Sequence, residues 1–381
     1  MNDLVVFGED WGAHPSSTQH LVKRLGRDRR VVWANSLGLR RPRLAPHDLR
    51  RAASKLGRMI ARPRAHAEHA ADAGCWRPTR CVDPLVVPFP GNRLARLANR
   101  ALVPSRVRKA MASAGITRPI LWASLPTAVD AVGRLGERAV VYYCGDDFGA
   151  LAGVDHVPVL ALEEELVARA DLVIAASDVL AARFPRGKTH VVRHGVDLSL
   201  FASPAPRAED LPDGLTAGFY GTLADWVDVE LIAAAARQLP DWTMVVIGPI
   251  TTDACALQRL PNVRLLGPRP HAQLARYAQH WTASLLPFRD VPQIHACNPL
   301  KLREYLAAGA PIVATDFPAL DGYRDLVRVA PTHGAFVAAI AATAAIGGAR
   351  RAVLARLQRE RVKEESWEER ARDVAALIDA L

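Results

Sequence analysis

Aromatic residues are scarce, at 6% of 381 residues, and the five cysteines are scattered, odd in number and without a C-x-x-C pair. A disulfide framework is therefore excluded in favour of reduced thiols. His66, His69, Cys75 and Cys81 lie near one another, but their spacing matches no zinc motif, so no metal site is expected. No run of 18 apolar residues occurs, and Met1 is followed by no basic-then-apolar leader, so neither a membrane span nor secretion is expected and the cytoplasm is the default. Without aromatics interleaved among the basic residues there is no stacking platform for single strands, and no nucleic-acid partner is expected.

What is present is ample apolar content, 50% of residues, in a chain longer than one core usually serves, which points to two domains. The net charge of +10 is local. Between Lys23 and Arg64, fourteen Lys/Arg face only Asp28 and Asp48, a net +12 that leaves the rest near −2. Residues 49–62 read as a basic amphipathic helix, with Leu49, Ala52, Ala53, Leu56, Met59 and Ile60 on one face. Residues 93–103 read the same way, Leu94, Leu97, Ala98, Ala101 and Leu102 lying against Arg93, Arg96 and Arg100 until Pro104 breaks the run and Ser105 can cap a continuation. Such helices either pack on the core and solvate their arginines, or lie peripherally on an anionic membrane surface.

Strand-like runs alternate with helical periods along the whole chain. Leu4–Gly8 leads into a loop with Gly12 and Ser16-Ser17, then a helix carrying Gln19. The run 139–143 ends in Gly145-Asp146-Asp147-Phe148, a carboxylate pair at the end of a strand, where open α/β sheets bind ligands. Helix capping or salt bridging is the other reading of that pair. A proline cluster with Asp213-Gly214 reads as a linker, and a second β-α series begins at residue 215, its first strand closing in Gly221-Thr222.

The second series contains C-N-P-L-K-L-R-E-Y-L-A-A-G-A-P-I-V-A-T-D-F, residues 297–317. Asn298-Pro299 starts a helix, Gly309 ends it, and Ile312–Thr315 is a strand. Lys301 at the positive end of that helix makes an anion cradle suited to a pyrophosphate, with Glu304 one turn on.

This segment resembles the donor helix of GT-B glycosyltransferases, particularly the retaining family 4 group. The succession A-D-L-V-I-A-A-S, a strand and His194-Gly195-Val196-Asp197 resembles the end of that family's first domain, where asparagine is usual in place of His194. The resemblance implies two Rossmann-like domains facing across a cleft: an acceptor domain at 1–197, a linker at 198–214, a nucleotide-sugar domain at 215–348, and a helix at 349–381 crossing back to the first domain. It implies retaining transfer without a metal or cofactor. The co-substrate is a nucleoside-diphosphate sugar, and the acceptor a glycan or lipid-linked precursor.

Site residues follow from the same resemblance. Glu304, five before Gly309, takes the ribose; Leu300, Lys301 and Asn298 belong to the donor helix; Gly221 and Thr222 form the phosphate-facing turn. The arginine and lysine that commonly follow this turn are absent, which leaves Arg289, Lys301 and Arg269 as the suppliers of positive charge. The family's first glutamate is replaced by Ala296, with His295 and Asn298 as substitutes. Asp146 or Asp147 is expected near the transferring sugar, and Gly12, Ser16, Ser17, Gln19 and His194 line the acceptor or sugar loop. An epimerase of the same fold, a non-catalytic sugar-nucleotide binder and a nucleic-acid-binding module are the alternatives.

Overall fold

Short runs of β-branched and apolar residues become strands buried on both faces, the pattern of a parallel sheet covered by helices. The computed structural model describes residues 2–13, 16–37 and 76–381. They form two units, 194–370 and the remainder, with the terminal segment 371–381 belonging to the first.

The first unit runs β1 (Leu4–Phe7), α1 (Ser17–Leu25), β2 (Val31–Ala34), β3 (Arg80–Val82), α2 (Arg93–Ala114), β4 (Ile120–Ala123), β5 (Ala139–Cys144), α3 (His156–Arg169), β6 (Leu172–Ala175) and β7 (Thr189–Val191). Its sheet is ordered β3-β2-β1-β4-β5-β6-β7. All neighbours are parallel; Leu4, for example, pairs with both Val31 and Ile120. Arg29, buried on the first unit, holds the terminal segment through both oxygens of Asp379 at 2.9–3.0 Å.

The second unit begins with β8 (Leu215–Tyr220), α4 (Val229–Gln238), β9 (Trp242–Ile247), β10 (Val263–Leu265), β11 (Ala283–Leu286) and α5 (Pro292–Ala296). It continues with α6 (Leu300–Ala308), β12 (Ile312–Thr315), β13 (Val327–Ala330), α7 (His333–Thr343) and α8 (Gly348–Val362); α9 (Trp367–Asp379) starts in it and from residue 371 belongs to the first unit. The parallel order β10-β9-β8-β11-β12-β13 repeats the logic of the first sheet. In each, strand order reverses beside the first strand, between β1 and β4 and between β8 and β11. That switch point leaves a crevice at the carboxyl ends of the strands, where ligands of doubly wound sheets bind.

Three sequence expectations change. The terminal helix is two helices, α8 and α9, separated at residues 363–366, where the Val196 amide bonds the Glu365 carbonyl and the Trp367 amide returns to Val196. Helix α2 does not break at Pro104 and restart at Ser105; it runs unbroken through the buried Pro104 to Ala114. The packed face of α2 is Ala95, Asn99, Val103, Val107 and Met111, not the leucine face; Leu94 and Leu97 are 76% and 65% exposed. The reason is the ion pairing of Arg96 and Arg100 to Asp130 and Glu165, which rotates the arginine side of the helix toward the protein. The basic stretch 49–62 lies outside the described residues. Among them, no single helix is long and apolar enough to cross a membrane.

Candidate functional site

The switch point of the second unit is built from the end of β8 and the first turn of α6. Pro299 is the N-cap of α6 and has no side chain to offer as a cap; the first amide of the helix to find a carbonyl is that of Leu302, 3.3 Å from Pro299 O. The amides before it keep the unsatisfied, positive character of a helix start. Gly309, at φ +88°, closes the helix in the left-handed conformation expected from sequence.

Lys301 and Glu304, three apart, share one face of α6. Each meets a consecutive residue of the β8 end. Lys301 lies against Gly221: a Cβ there, at φ +128°, would fall 2.2 Å from Lys301 Cε and 2.6 Å from Nζ. Glu304 accepts a hydrogen bond from the Tyr220 hydroxyl at 2.6 Å. One helical turn thus separates a cationic pocket from a carboxylate pocket.

The Lys301 ammonium sits over the Phe219 ring, 5.6 Å from its centroid, and has no hydrogen-bond or ion-pair partner among the described residues. Burial pulls its pKa below the ordinary lysine value, opposed by the Glu304 charge. A half-buried cation with no direct ion-pair contact is a receptor for an anion. Glu304, nearly buried, has both oxygens engaged: Tyr220 on Oε2 and the imidazole of His271, 2.7 Å away, on Oε1. Burial, then the Glu304 charge, raises the Tyr220 pKa well above its ordinary value, so Tyr220 is a hydrogen donor at neutral pH.

Other expected donor residues fall elsewhere. The Gly221 amide is spent on Ile247 O at 2.8 Å, so Gly221 contributes close approach rather than a donor, and the amide at this turn without a backbone partner among the described residues is that of Thr222. Arg269 is a strut: its guanidinium binds Asp210 at 2.7 Å and Leu266 O at 2.6 Å, and does not supply free positive charge. Asn298 is buried, its side-chain oxygen accepting from Arg303 and its carbonyl from His194 Nδ1 at 2.6 Å. His194 is accordingly a buried neutral imidazole, its pKa lowered to about 4 by burial, then by the Arg303 charge. Arg303 is itself buried and pairs with Glu365 at 2.6 Å. Leu300 opens α6.

Arg289 and His295 line a separate open cavity of about 830 Å³ at the carboxyl ends of β11 to β13, whose walls include Asp228, Arg324 and His333 but neither Lys301 nor Glu304. His295 is held by Asp290, while Arg289 has no ion-pair partner among the described residues. Ala296 is buried.

At the switch point of the first unit, Ser16 caps α1 by accepting the Gln19 amide at 3.1 Å. Glu9, which sequence reasoning passed over, gathers the loop by accepting from the Ser16 hydroxyl and, at 3.2 Å, from Gln19 Nε2. Gly12 turns at φ +78°, its amide 3.4 Å from Gln19 Oε1, and Ser17 is the first residue of α1. The two carboxylates after β5 separate in role. Asp147 is taken by Arg183 at 2.7 Å and by the Gly149 amide, so it braces the loop. Asp146 keeps a carboxyl whose pKa is raised by desolvation, then by the Glu9 and Asp147 charges. Among the described residues no three His, Cys, Asp or Glu side chains converge as metal ligands.

With this geometry in hand, similarity to known proteins is informative. Over its full length the structure aligns with sucrose-phosphate synthase from Thermosynechococcus elongatus, at TM-score 0.69 and 17% identity, covering 99% of that chain. It aligns as completely with Anabaena HepE solved in complex with UDP and glucose, at TM-score 0.68 and 13% identity. The fold is GT-B. Residues 214–349, within which the β8–α6 site lies, match the family described as glycosyl transferases group 1. TuaH of Bacillus subtilis, a protein assigned by name to teichuronic acid biosynthesis as a glycosyltransferase, is 31% identical over 229 residues, or 54% of this chain and 58% of its own length. That match spans less than two thirds of the relative.

Proposed function

We propose that the protein is a glycosyltransferase that moves a sugar from a nucleoside-diphosphate donor to an acceptor. The observation that carries this reading is the half-buried Lys301 ammonium against Gly221, without a hydrogen-bond or ion-pair partner among the described residues, at the start of α6 and one turn from Glu304. A diphosphate takes the cation and the helix start, and the ribose takes the carboxylate. The group 1 family match over 214–349 and the UDP of the HepE complex support the same assignment.

Transfer breaks the bond from C1 of the sugar to the phosphate oxygen and forms one to the oxygen of an acceptor hydroxyl, whose proton leaves on the departing diphosphate. Negative charge grows on the departing diphosphate, and Lys301, the Thr222 amide and the α6 dipole are aimed where it grows, which lowers the barrier electrostatically. Retention of configuration and independence from metal belong to this proposal. Asp146, with its raised pKa, is proposed as the sugar-facing carboxylate and the Gly12–Gln19 loop as part of the acceptor side. A glycan acceptor is favoured by TuaH's assignment to teichuronic acid biosynthesis, and a lipid-linked precursor belongs to the proposal as its alternative. A peripheral approach to anionic lipid is favoured by the exposed Phe89, Leu94 and Leu97 on and beside α2.

A thermal-shift screen against nucleoside diphosphates and their sugars tests the reading. A ligand at 100 times its Kd adds about 2.7 kcal/mol of stability. A clear shift with one nucleotide and its sugars is expected; silence from every one overturns the proposal.

A further inference from the structure

The carboxylate of Glu304 is held before any ligand reaches it. Tyr220, at the end of β8, donates to Oε2; His271, from the loop that follows β10, stands against Oε1. The two partners differ. Tyr220 is buried in the core of the unit, hydrogen-bonded through its amide to Tyr305, and cannot be spared without disturbing the sheet. The His271 side chain is 22% exposed and that of Glu304 only 9%, so the imidazole stands on the solvent side of the carboxylate. Its ring meets the edge of Phe201, centroids 5.4 Å apart, which fixes its plane.

A carboxylate can accept about four hydrogen bonds in all, and two donors, one per oxygen, leave a lone pair on each. Those remaining sites lie in a common plane and suit two neighbouring hydroxyls. Left alone, the side chain would have to be frozen on binding, at a cost in rotamer entropy; pinned from two separate elements, it is ordered in advance. We propose that His271 is a positioning residue that fixes the Glu304 carboxylate for a vicinal cis-diol, and so makes the site selective for ribo- over 2′-deoxyribonucleotides. This rests on the reading of the α6 site as a nucleoside-diphosphate site. His271 need not touch the nucleotide; it acts through Glu304.

The test compares wild type, His271→Phe and His271→Gln by calorimetry, using whichever of UDP, GDP, ADP or CDP binds wild type best and its 2′-deoxy counterpart. Phenylalanine keeps the aromatic contact with Phe201 and loses the N–H, whereas glutamine restores an N–H donor. Wild type should prefer the ribonucleotide by about tenfold or more, the worth of one hydrogen bond to a charged acceptor. His271→Phe should bring the ratio to within about threefold of unity, and His271→Gln should recover most of the preference. A packing role would alter melting temperature and both affinities together without moving their ratio. An unchanged ratio in His271→Phe, or no preference in wild type that nevertheless binds the ribonucleotide, overturns the inference alone. Absence of binding by any nucleotide to wild type overturns the α6 reading and the inference with it.

Discussion

Replacing Lys301 with methionine should move stability and ligand affinity in opposite directions. Methionine keeps an unbranched stem of similar reach against Gly221 and the Phe219 ring and removes only the charge. That charge has no hydrogen-bonding partner among the described residues, and burial already lowers its pKa, so it is a cost to the fold. Exchanging a poorly solvated ion for an apolar group is often neutral to stabilising, so the expected change in unfolding free energy runs from zero to a gain of about 1 kcal/mol. On the ligand side the variant loses charge-assisted hydrogen bonds to a diphosphate, about 1.5–3 kcal/mol, or roughly 10–150-fold in Kd.

The pH dependence follows the same logic. The folded pKa lies below the unfolded one, so in the window between them the unfolded chain holds more protons and stability rises with pH toward the ordinary lysine value. Lys301→Met should lose that rise. Urea denaturation at several pH values and calorimetry with the best nucleotide, on the same preparations, measure all three effects. An unaltered Kd refutes the phosphate assignment. A loss of more than about 2 kcal/mol would show that Lys301 is a packing element instead.

Three further expectations need no ligand. His194 titrates near 4 in the folded protein against an ordinary 6.5, so stability should fall by up to about 3 kcal/mol as pH drops through that interval. His194→Asn should flatten the acid limb of denaturant midpoints; parallel limbs would refute the buried neutral imidazole. Arg303→Met strands Glu365 and Asn298 around a buried guanidinium site and should cost about 3–5 kcal/mol in urea denaturation, a loss below about 1 kcal/mol speaking against the network. Leu94→Asp with Leu97→Asp should leave stability within about 0.5 kcal/mol, because both side chains are exposed, while reducing flotation with anionic vesicles. Equal flotation of the double variant and wild type would rule α2 out as a lipid contact.

Much of the fold was legible because parallel strands buried on both faces are continuous apolar runs and the helices between them carry a 3.6-residue period. The run Ile312–Thr315, the helix ahead of it and its glycine stop all stand as the sequence implied. Helix α2 was misread because its leucines form the more regular stripe. Only tertiary ion pairs with Asp130 and Glu165 turn the opposite side inward. The break between α8 and α9 was invisible for a similar reason, since it depends on hydrogen bonds to Val196, some 170 residues away.

The candidate site divides along the same line. Local spacing alone put Lys301 at the start of a helix and Glu304 one turn on, because helical periodicity is a property of neighbours in sequence. Which charged residues remain available was decided in three dimensions. Asp210 claims Arg269, Arg183 claims Asp147, Ile247 takes the Gly221 amide, and Arg303 with His194 takes Asn298. Tyr220 and His271 reach Glu304 from two other elements, 84 and 33 residues away along the chain, and no local pattern links them to it. Hydrogen bonds are claimed through space by whichever partner the packed strands and helices bring within about 3 Å. The sequence by itself therefore determined where α6 lies and which of its faces is polar, and the tertiary structure decided which of the candidate residues other side chains already hold.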